Sequence, residues 1–583
     1  MNFYKSKRER HEILRSSMDQ DRSSFVSRWR DLGDYILPSR PRFLLTDANR
    51  GDRKNQRIID STATMAARTL RSGLMGGVTS PARPWFRLTT PDPSLAENSA
   101  VKDWLYTVSD RMATVFLRSN LYNSLPVLYG DLGTFGTGAM LIEEDFTGDV
   151  IRTFPLPIGS YFIANDEHLR VQTIVRDFRM TVRQLIGKFG KRLPNGEMDW
   201  SNFSNTVKYN YDNGNLESWI DVCHIVTQNP EHDPNRLDSK FKKFESCYYE
   251  RGTMGSMKDN YMAGDEVKYL SESGLDFFPV LCPRWEVTGE DVYGTDCPGM
   301  TALGDVKQLQ LGERRAMQAI EKGINPPLVA PPEMLNKPIS MLPGGTTFSS
   351  EREGTKGIRS LHEVNLKLAE LENKQAQVRM RISRAFFEDL FLMLASSDRR
   401  QITAREIDER HEEKLLALGP VLEQLNQDLL DPLVDITFGI MVNQGLIPEP
   451  PEELQGMDLK VEYISIMAQA QKLVGVAGME RFISVVGQMV RVSGDPTSAD
   501  KINVDQFFDE YGNLLSVPPS IIRSDDEVES MRAQRAQAQQ AAQMAQSVPM
   551  MAKSARDLSE TDTNKDSALK ELLAAGAAGN LVQ

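Results

Sequence analysis

Apolar residues recur every three to four positions through most of this chain, but every second position through its middle third. Phe25, Trp29 and Leu32 stand at i, i+4 and i+7, followed by Tyr35 and Ile36, which predicts an early helix with one apolar face and an opposite face rich in Arg and Asp. Pro38 stops it. Ile58 to Gly73 reads as a second helix, rich in Ala and Thr and ending among glycines. Trp104, Leu105, Val108, Met112, Val115 and Phe116 mark a third. From Ala139 the period falls to two. Met140 to Glu144 and Val150 to Phe154, around a Thr147-Gly148-Asp149 turn, predict a hairpin. A second strand pair is expected at Tyr161 to Ile163 and Val171 to Phe178, and Thr181 with Gln184 fits a capping box opening a short helix. Strands resume at Trp219 to Val226, Phe244 to Glu250 and Phe278 to Val287.

The last half is helical again. Leu303, Val306, Leu309, Ala316, Met317 and Ile320 predict a long helix from Pro298 to Lys322, closed by Gly323 and Pro326-Pro327. Six prolines between Pro326 and Pro343, then Gly344-Gly345, exclude a helix or central strand there, so this stretch is read as an excursion from the body. A long helix is expected over Leu361 to Ala395. A second capping box at Thr403 and Glu406 opens another towards Leu418, with bends at Gly419-Pro420 and Pro432. Helix is expected once more from Val461 to about Val492. Glu527 to Gln546, dominated by Ala, Gln, Met and Arg, has high helix propensity but little apolar face, and Leu558 to Gln583 reads as a mobile tail.

Composition narrows the class. The 583 residues are 40% apolar and 26% charged, as in folded, soluble proteins. Sixty-eight Lys and Arg against 81 Asp and Glu leave a net charge of −13, which argues against a broad basic face gripping nucleic acid. The N-terminus runs into a charged helical segment without the apolar stretch of a signal peptide. No window approaches the roughly 18 apolar residues of a membrane span. Four scattered cysteines, Cys223, Cys247, Cys282 and Cys297, give no disulfide framework.

Catalytic chemistry finds little support. There is no phosphate loop of the GxxxxGK[ST] type, and Gly133-Thr-Phe-Gly136-Thr-Gly138 reads as a helix-ending turn because no lysine follows. His11-Glu12, His362-Glu363 and His411-Glu412 lack the second histidine of a zincin helix and read as solvated helix positions. Cys223-His224 with Cys247 has the wrong spacing for structural zinc, so buried strand cysteines are the better reading. Asp562, Asn564 and Asp566 open like a calcium loop, but Ser567 and Leu573 stand where Gly and Glu are needed. No serine elbow occurs. The expectation is no enzyme, no metal, no cofactor and no catalytic residue, and an assembly component instead.

Four segments in order resemble the portal, or head-to-tail connector, proteins of short-tailed tailed bacteriophages. They are Asp60 to Leu74 with Ser80 to Leu88; Ser119 to Tyr122 with Gly133 to Ile142; Phe278 to Trp285 with Gly289 to Gly294; and Ile402 to Ile407 with Leu418 to Leu422 and Leu429 to Leu433. The resemblance implies an α+β, mainly helical portal fold, assembled as a ring of twelve copies at one capsid vertex. On that plan residues 1–296 form a wing, 297–325 a stem helix and 326–360 a clip. Residues 361–450 return through stem and wing and include a channel-facing segment; 451–530 build a crown; 531–583 are a C-terminal helix and mobile tail. The implied partners are further copies of the chain, major capsid protein and scaffold, a terminase packaging motor, tail adaptor proteins and double-stranded DNA in transit, with no membrane. The implied location is the virion, after assembly in the host cytoplasm. A DNA-packaging enzyme or capsid-interior scaffold component is the alternative. The channel-lining residues are not read from the sequence.

Overall fold

The computed structural model describes residues 6–43, 56–91, 98–252 except 237, 268–324, 328–329, 359–360, 368–396, 418–454 and 459–464. It also describes helical stretches at 482–486, 488, 506–507, 511, 528 and 530–539. The chain is α+β. Helix α1 (Lys7–Tyr35) opens on Ser6, whose Oγ accepts from the Glu9 amide, and ends at Ile36, ahead of Pro38. Helix α2 (Thr62–Gly77) precedes a short strand β1 (Phe86–Thr89), and then come α3 (Ser99–Arg118) and α4 (Leu121–Phe135). Gly136 ends α4 with φ +79, a conformation that costs glycine little, as the glycine-rich turn predicts. Gly294 lies against it so closely that a Cβ there would stand 2.1 Å from the Gly136 carbonyl oxygen.

Strands β2 (Ala139–Asp145) and β3 (Val150–Leu156) form the expected hairpin. Strand β9 (Val280–Leu281) adds to its other edge, in the order β3-β2-β9. The longer strand expected over Phe278 to Val287 is thus reduced to two paired residues, because Pro279 and Pro283 flank them and carry no amide to donate. The second sheet is antiparallel throughout. Its order is β4 (Tyr161–Asn165), β5 (Val171–Thr181), β6 (Trp219–Gln228), β7 (Phe244–Glu250) and β8 (Ser271–Leu275). Helix α5 (Val182–Phe189) carries the predicted capping box in full, with both the Thr181 and Gln184 bonds present. With α6 (Asn205–Asp212) it covers a small core of Leu185, Phe203, Val207 and Val222.

Helix α7 (Pro298–Ile324) follows the predicted bounds. The proline-rich excursion is pinched at its base by β10 (Leu328–Val329) pairing with β11 (Arg359–Ser360). The single helix expected over Leu361 to Ala395 is two helices, α8 (Leu368–Ala385) and α9 (Glu388–Ser396). Phe387 breaks them with φ +54 while Phe386 and Phe391 stay buried. The bends at Gly419-Pro420 and Pro432 fall in the first turns of α10 (Gly419–Leu425) and α11 (Asp431–Asn443), which a π-helical turn at 426–430 joins. The helix expected from Val461 begins as a strand instead. β12 (Lys460–Tyr463) pairs with β1, tied by Arg87 to Glu462 at 2.6 Å and by the Tyr463 hydroxyl donating to Asp431. Both 482–486 and 530–539 are helical; Thr403 to Glu406 and the tail after Leu558 lie outside the described residues.

The main core joins α2, α3, α4, α7, α9, α11 and the hairpin. Trp29 reaches it from the C-terminal half of α1, packing on Phe25 and Tyr293 and donating its indole N–H to the Phe135 carbonyl at 3.2 Å. Trp29→Ala should therefore lose about 3–5 kcal/mol, read as a fall in the urea unfolding midpoint. Trp219→Ala, at a ring 58% exposed, should change stability by less than about 0.5 kcal/mol.

Candidate functional site

The N-terminal half of α1 lies across the five-stranded sheet, and beside Met18 most of the side chains it buries there are polar. Arg8 stacks on Tyr249, 3.3 Å from the ring centroid, and donates to the Glu250 carbonyl at 2.7 Å. Arg15 forks onto Asp177 through Nε and Nη2, at 3.1 and 2.6 Å to Oδ2. Arg22 stacks on Phe162 and donates to the Gly159 and Tyr161 carbonyls. The Arg-rich face of the first helix is therefore partly an interior face. Guanidinium groups are suited to this, since they stack flat on rings and offer donors in the plane to carbonyls and carboxylates.

His11 corrects the solvated reading of the first His-Glu pair, because it is completely buried. The His362 and His411 pairs lie outside the described residues. His11 Nε2 donates to Glu245 Oε1 at 3.0 Å, while Nδ1 faces the Tyr269 hydroxyl at 3.1 Å. Cys247 is the third potential ligand atom here, since His11, Glu245 and Cys247 place Nε2, a carboxylate oxygen and Sγ within 4.8 Å of one another. The cluster does not fit a metal ion. Lys7 lies 3.1 Å from Glu245 and Arg10 bonds its other side, so the carboxylate already faces two cations. Burial pushes the Cys247 thiol up to about 12, which leaves it protonated and a poor ligand. Burial alone would raise Glu245, yet the His11 bond and the charges of Lys7 and Arg10 hold it down to about 2.

Cys223 and His224 are neighbours on β6 and point to opposite faces of the sheet, so they cannot share a ligand. Cys223 lies with Cys247 in the apolar layer under α1, as the buried-strand reading has it. Spacing in the sequence could not reveal the His11, Glu245 and Tyr269 constellation, because His11 lies more than 230 residues before both of its partners.

The other candidate surface lies where α7 and α8 meet the body. Gln310 accepts from the Ile59 and Asp60 amides at 2.7 and 2.9 Å and donates to the Asp60 carbonyl at 2.8 Å. Asp60 receives Arg379 from α8 at 2.8 Å, and Arg379 also pairs with Glu313 on α7. Burial opposes the Asp60 charge, but bonds from Thr62 and Arg379 hold its pKa below the usual carboxylate value. Three helices are thus pinned at one polar knot. Lys307 to Asp31 and Arg381 to Asp305 add pairs beside it at 2.7 and 2.8 Å. Beyond the knot α7 runs towards the pinched excursion.

This is a helical body with a sheet module, and among the described residues the grouping with metal-ligand chemistry, His11, Glu245 and Cys247, is filled by cations. No helix among the described residues is long and apolar enough to cross a membrane. The profile of the family described as "Bacteriophage head to tail connecting protein" matches residues 8–522. A portal protein of Salmonella phage epsilon15 is 45% identical over 573 residues, 98% of this chain and 99% of that protein. A probable portal protein of Bordetella phage BPP-1 is 41% identical over 552 residues, 95% of each. The chain belongs to the bacteriophage head-to-tail connecting protein family, whose portal members are structural connectors and not enzymes.

The Glu245 cluster makes a pH prediction. A carboxylate whose folded pKa lies below the unfolded value of 4.5 adds stability above that value and loses it as pH falls towards about 2. Wild-type stability should drop through this acid window, and Glu245→Gln should drop less, measured by urea unfolding at stepped pH. Equal acid slopes would show that Glu245 contributes nothing.

Proposed function

We propose that this chain builds the portal of a short-tailed phage, a closed ring of twelve copies at one capsid vertex through which DNA is packaged and ejected. The observation that carries this reading is the apolar stripe of α7. Ala302, Val306 and Leu309 are buried against the body and Ala316 is nearly so. At the same three-and-four spacing the stripe continues through Met317, Ile320 and Ile324, which are 62%, 38% and 80% exposed. A helix that stays apolar past the end of its own support needs another surface. In a ring each copy offers an identical one to its neighbour, through a heterologous contact that closes.

The rest of the assignment rests on the family resemblance. Residues 1–296 act as the wing, 297–325 as the stem, 326–360 as the clip, 361–450 as the returning stem and wing with the channel-facing segment, and 451–530 as the crown. Residues 531–583 add a C-terminal helix and tail. The excursion, pinched by β10 and β11, suits a clip that meets the packaging motor first and the tail adaptors later. Capsid and scaffold proteins meet the wing. The excess of acid suits a conduit, because each Lys or Arg on a phosphate adds a salt-dependent hold, while like charge keeps the duplex off the wall.

Met317→Asp with Ile320→Asp should leave the monomer folded, since both side chains are exposed, but prevent assembly. Sedimentation of the wild type should give a species near twelve times the 65.6 kDa chain, and the double variant should sediment as single chains. A wild-type monomer across micromolar concentrations would refute the ring. Deleting residues 330–358 should spare ring formation and abolish tail attachment, seen as tailless particles; particles with intact tails would refute the clip assignment.

A further inference from the structure

We propose that Arg176, Lys188 and Tyr248 form a binding site for an oxoanion of the phosphate class, on the face of the five-stranded sheet opposite α1. Arg176, His224 and Tyr248 stand in one cross-strand row, because Arg176 pairs with His224 and His224 with Tyr248. The next residue along β5, Asp177, points to the other face, where Arg15 holds it.

His224 is fixed in one neutral form. Arg176 Nε donates to Nδ1 at 3.0 Å, so Nδ1 carries no proton and Nε2–H donates to Ser246 Oγ at 2.9 Å. The imidazole stacks on the Tyr248 ring at 3.8 Å and 4°, and Lys188 Nζ stands 5.0 Å from that ring's centroid. Burial, Arg176 and Lys188 all work against a charge on His224, and no carboxylate offsets them. Two cations thus converge on a flat neutral floor.

Only Lys188 has a counter-charge here, and a distant one. Arg15 and Arg251 face Asp177, and Arg179 faces Asp221. Arg176 makes no ion pair among the described residues, and its nearest further contact is the Phe178 ring at 4.8 Å. Glu143 reaches only Lys188, at 4.0 Å. In a chain of net charge −13 a guanidinium with no acid partner among the described residues, beside a lysine only loosely paired, stands out.

Free donors converge on the same place. Arg176 uses Nε on His224 and Nη2 on the Tyr248 hydroxyl oxygen at 3.2 Å, which leaves Nη1 without a partner among the described residues. Because that oxygen accepts from Arg176, the Tyr248 O–H can donate outward. Lys188, 44% exposed at its side chain, adds a mobile third donor. Guanidinium, hydroxyl and ammonium donors around one aromatic pair suit an oxoanion, and the guanidinium with the ammonium supplies the charge. The His11 cluster is the converse case, an acid already filled by cations.

The test is calorimetric titration of the purified full chain with sodium phosphate against sodium chloride at matched ionic strength. Saturable binding beyond the chloride control is expected. Arg176→Gln should weaken it at least roughly tenfold, as should Lys188→Gln and Tyr248→Phe to a smaller extent, because a charge-assisted donor is lost. Lys240→Gln, on the exposed β6–β7 connection, should bind as the wild type does. A short single-stranded oligonucleotide separates the sources. Competition with phosphate through Arg176 assigns the site to a phosphodiester, and no competition assigns it to free phosphate. Binding no stronger than chloride, or unchanged in both Lys188→Gln and Tyr248→Phe, overturns the proposal.

Discussion

The apolar stripe that runs along α7 from Ala302 to Ile324 calls for cover, and within a single chain it is covered only as far as Ala316. The body supplies what cover there is, through α1, α2, α4 and α8. The knot of Gln310, Asp60, Arg379 and Glu313 then fixes the angle at which α7 leaves. A polar knot suits this point better than more apolar packing, because its bonds demand one arrangement where methyl groups tolerate several. The exposed half of the stripe is therefore held in a defined place, which a contact repeated around a closed ring requires.

The same economy appears at the other end of the molecule. The sheet under α1 is held by stacked guanidiniums, a forked Arg15 and a filled Glu245 as much as by methyl groups. Such contacts cost little where both partners keep hydrogen bonds, and much where one is removed. They bind α1 in one register while the Trp29 end anchors it in the main core. α1 is thus tied at one end to the sheet and at the other to the core from which α7 departs.

Much of this was legible in the sequence where a local signal existed. The hairpin, the Thr181 capping box, the Gly136 turn and the bounds of α7 all followed from period and turn chemistry over a few residues. What failed was non-local. Nothing near Val461 says that Lys460 to Tyr463 pairs with Phe86 to Thr89, almost 400 residues earlier, so its apolar spacing read as helix. Phe386-Phe387 looked like continuous helix, since a left-handed phenylalanine has no sequence signature. His11 looked solvated because Glu12 and its charged neighbours did, whereas its partners are Glu245 on β7 and Tyr269 just before β8, both distant in sequence. The family was legible because order and spacing of short segments survive where no single one is diagnostic.

Electron microscopy of the purified wild-type chain tests the ring most directly. End-on views should show closed rings with a central channel and twelvefold symmetry, and side views a narrow projection at one end carrying the excursion. Single chains, open filaments or symmetric face-to-face dimers would contradict the assembly, because none of them covers the exposed half of α7 in a closed, repeated contact.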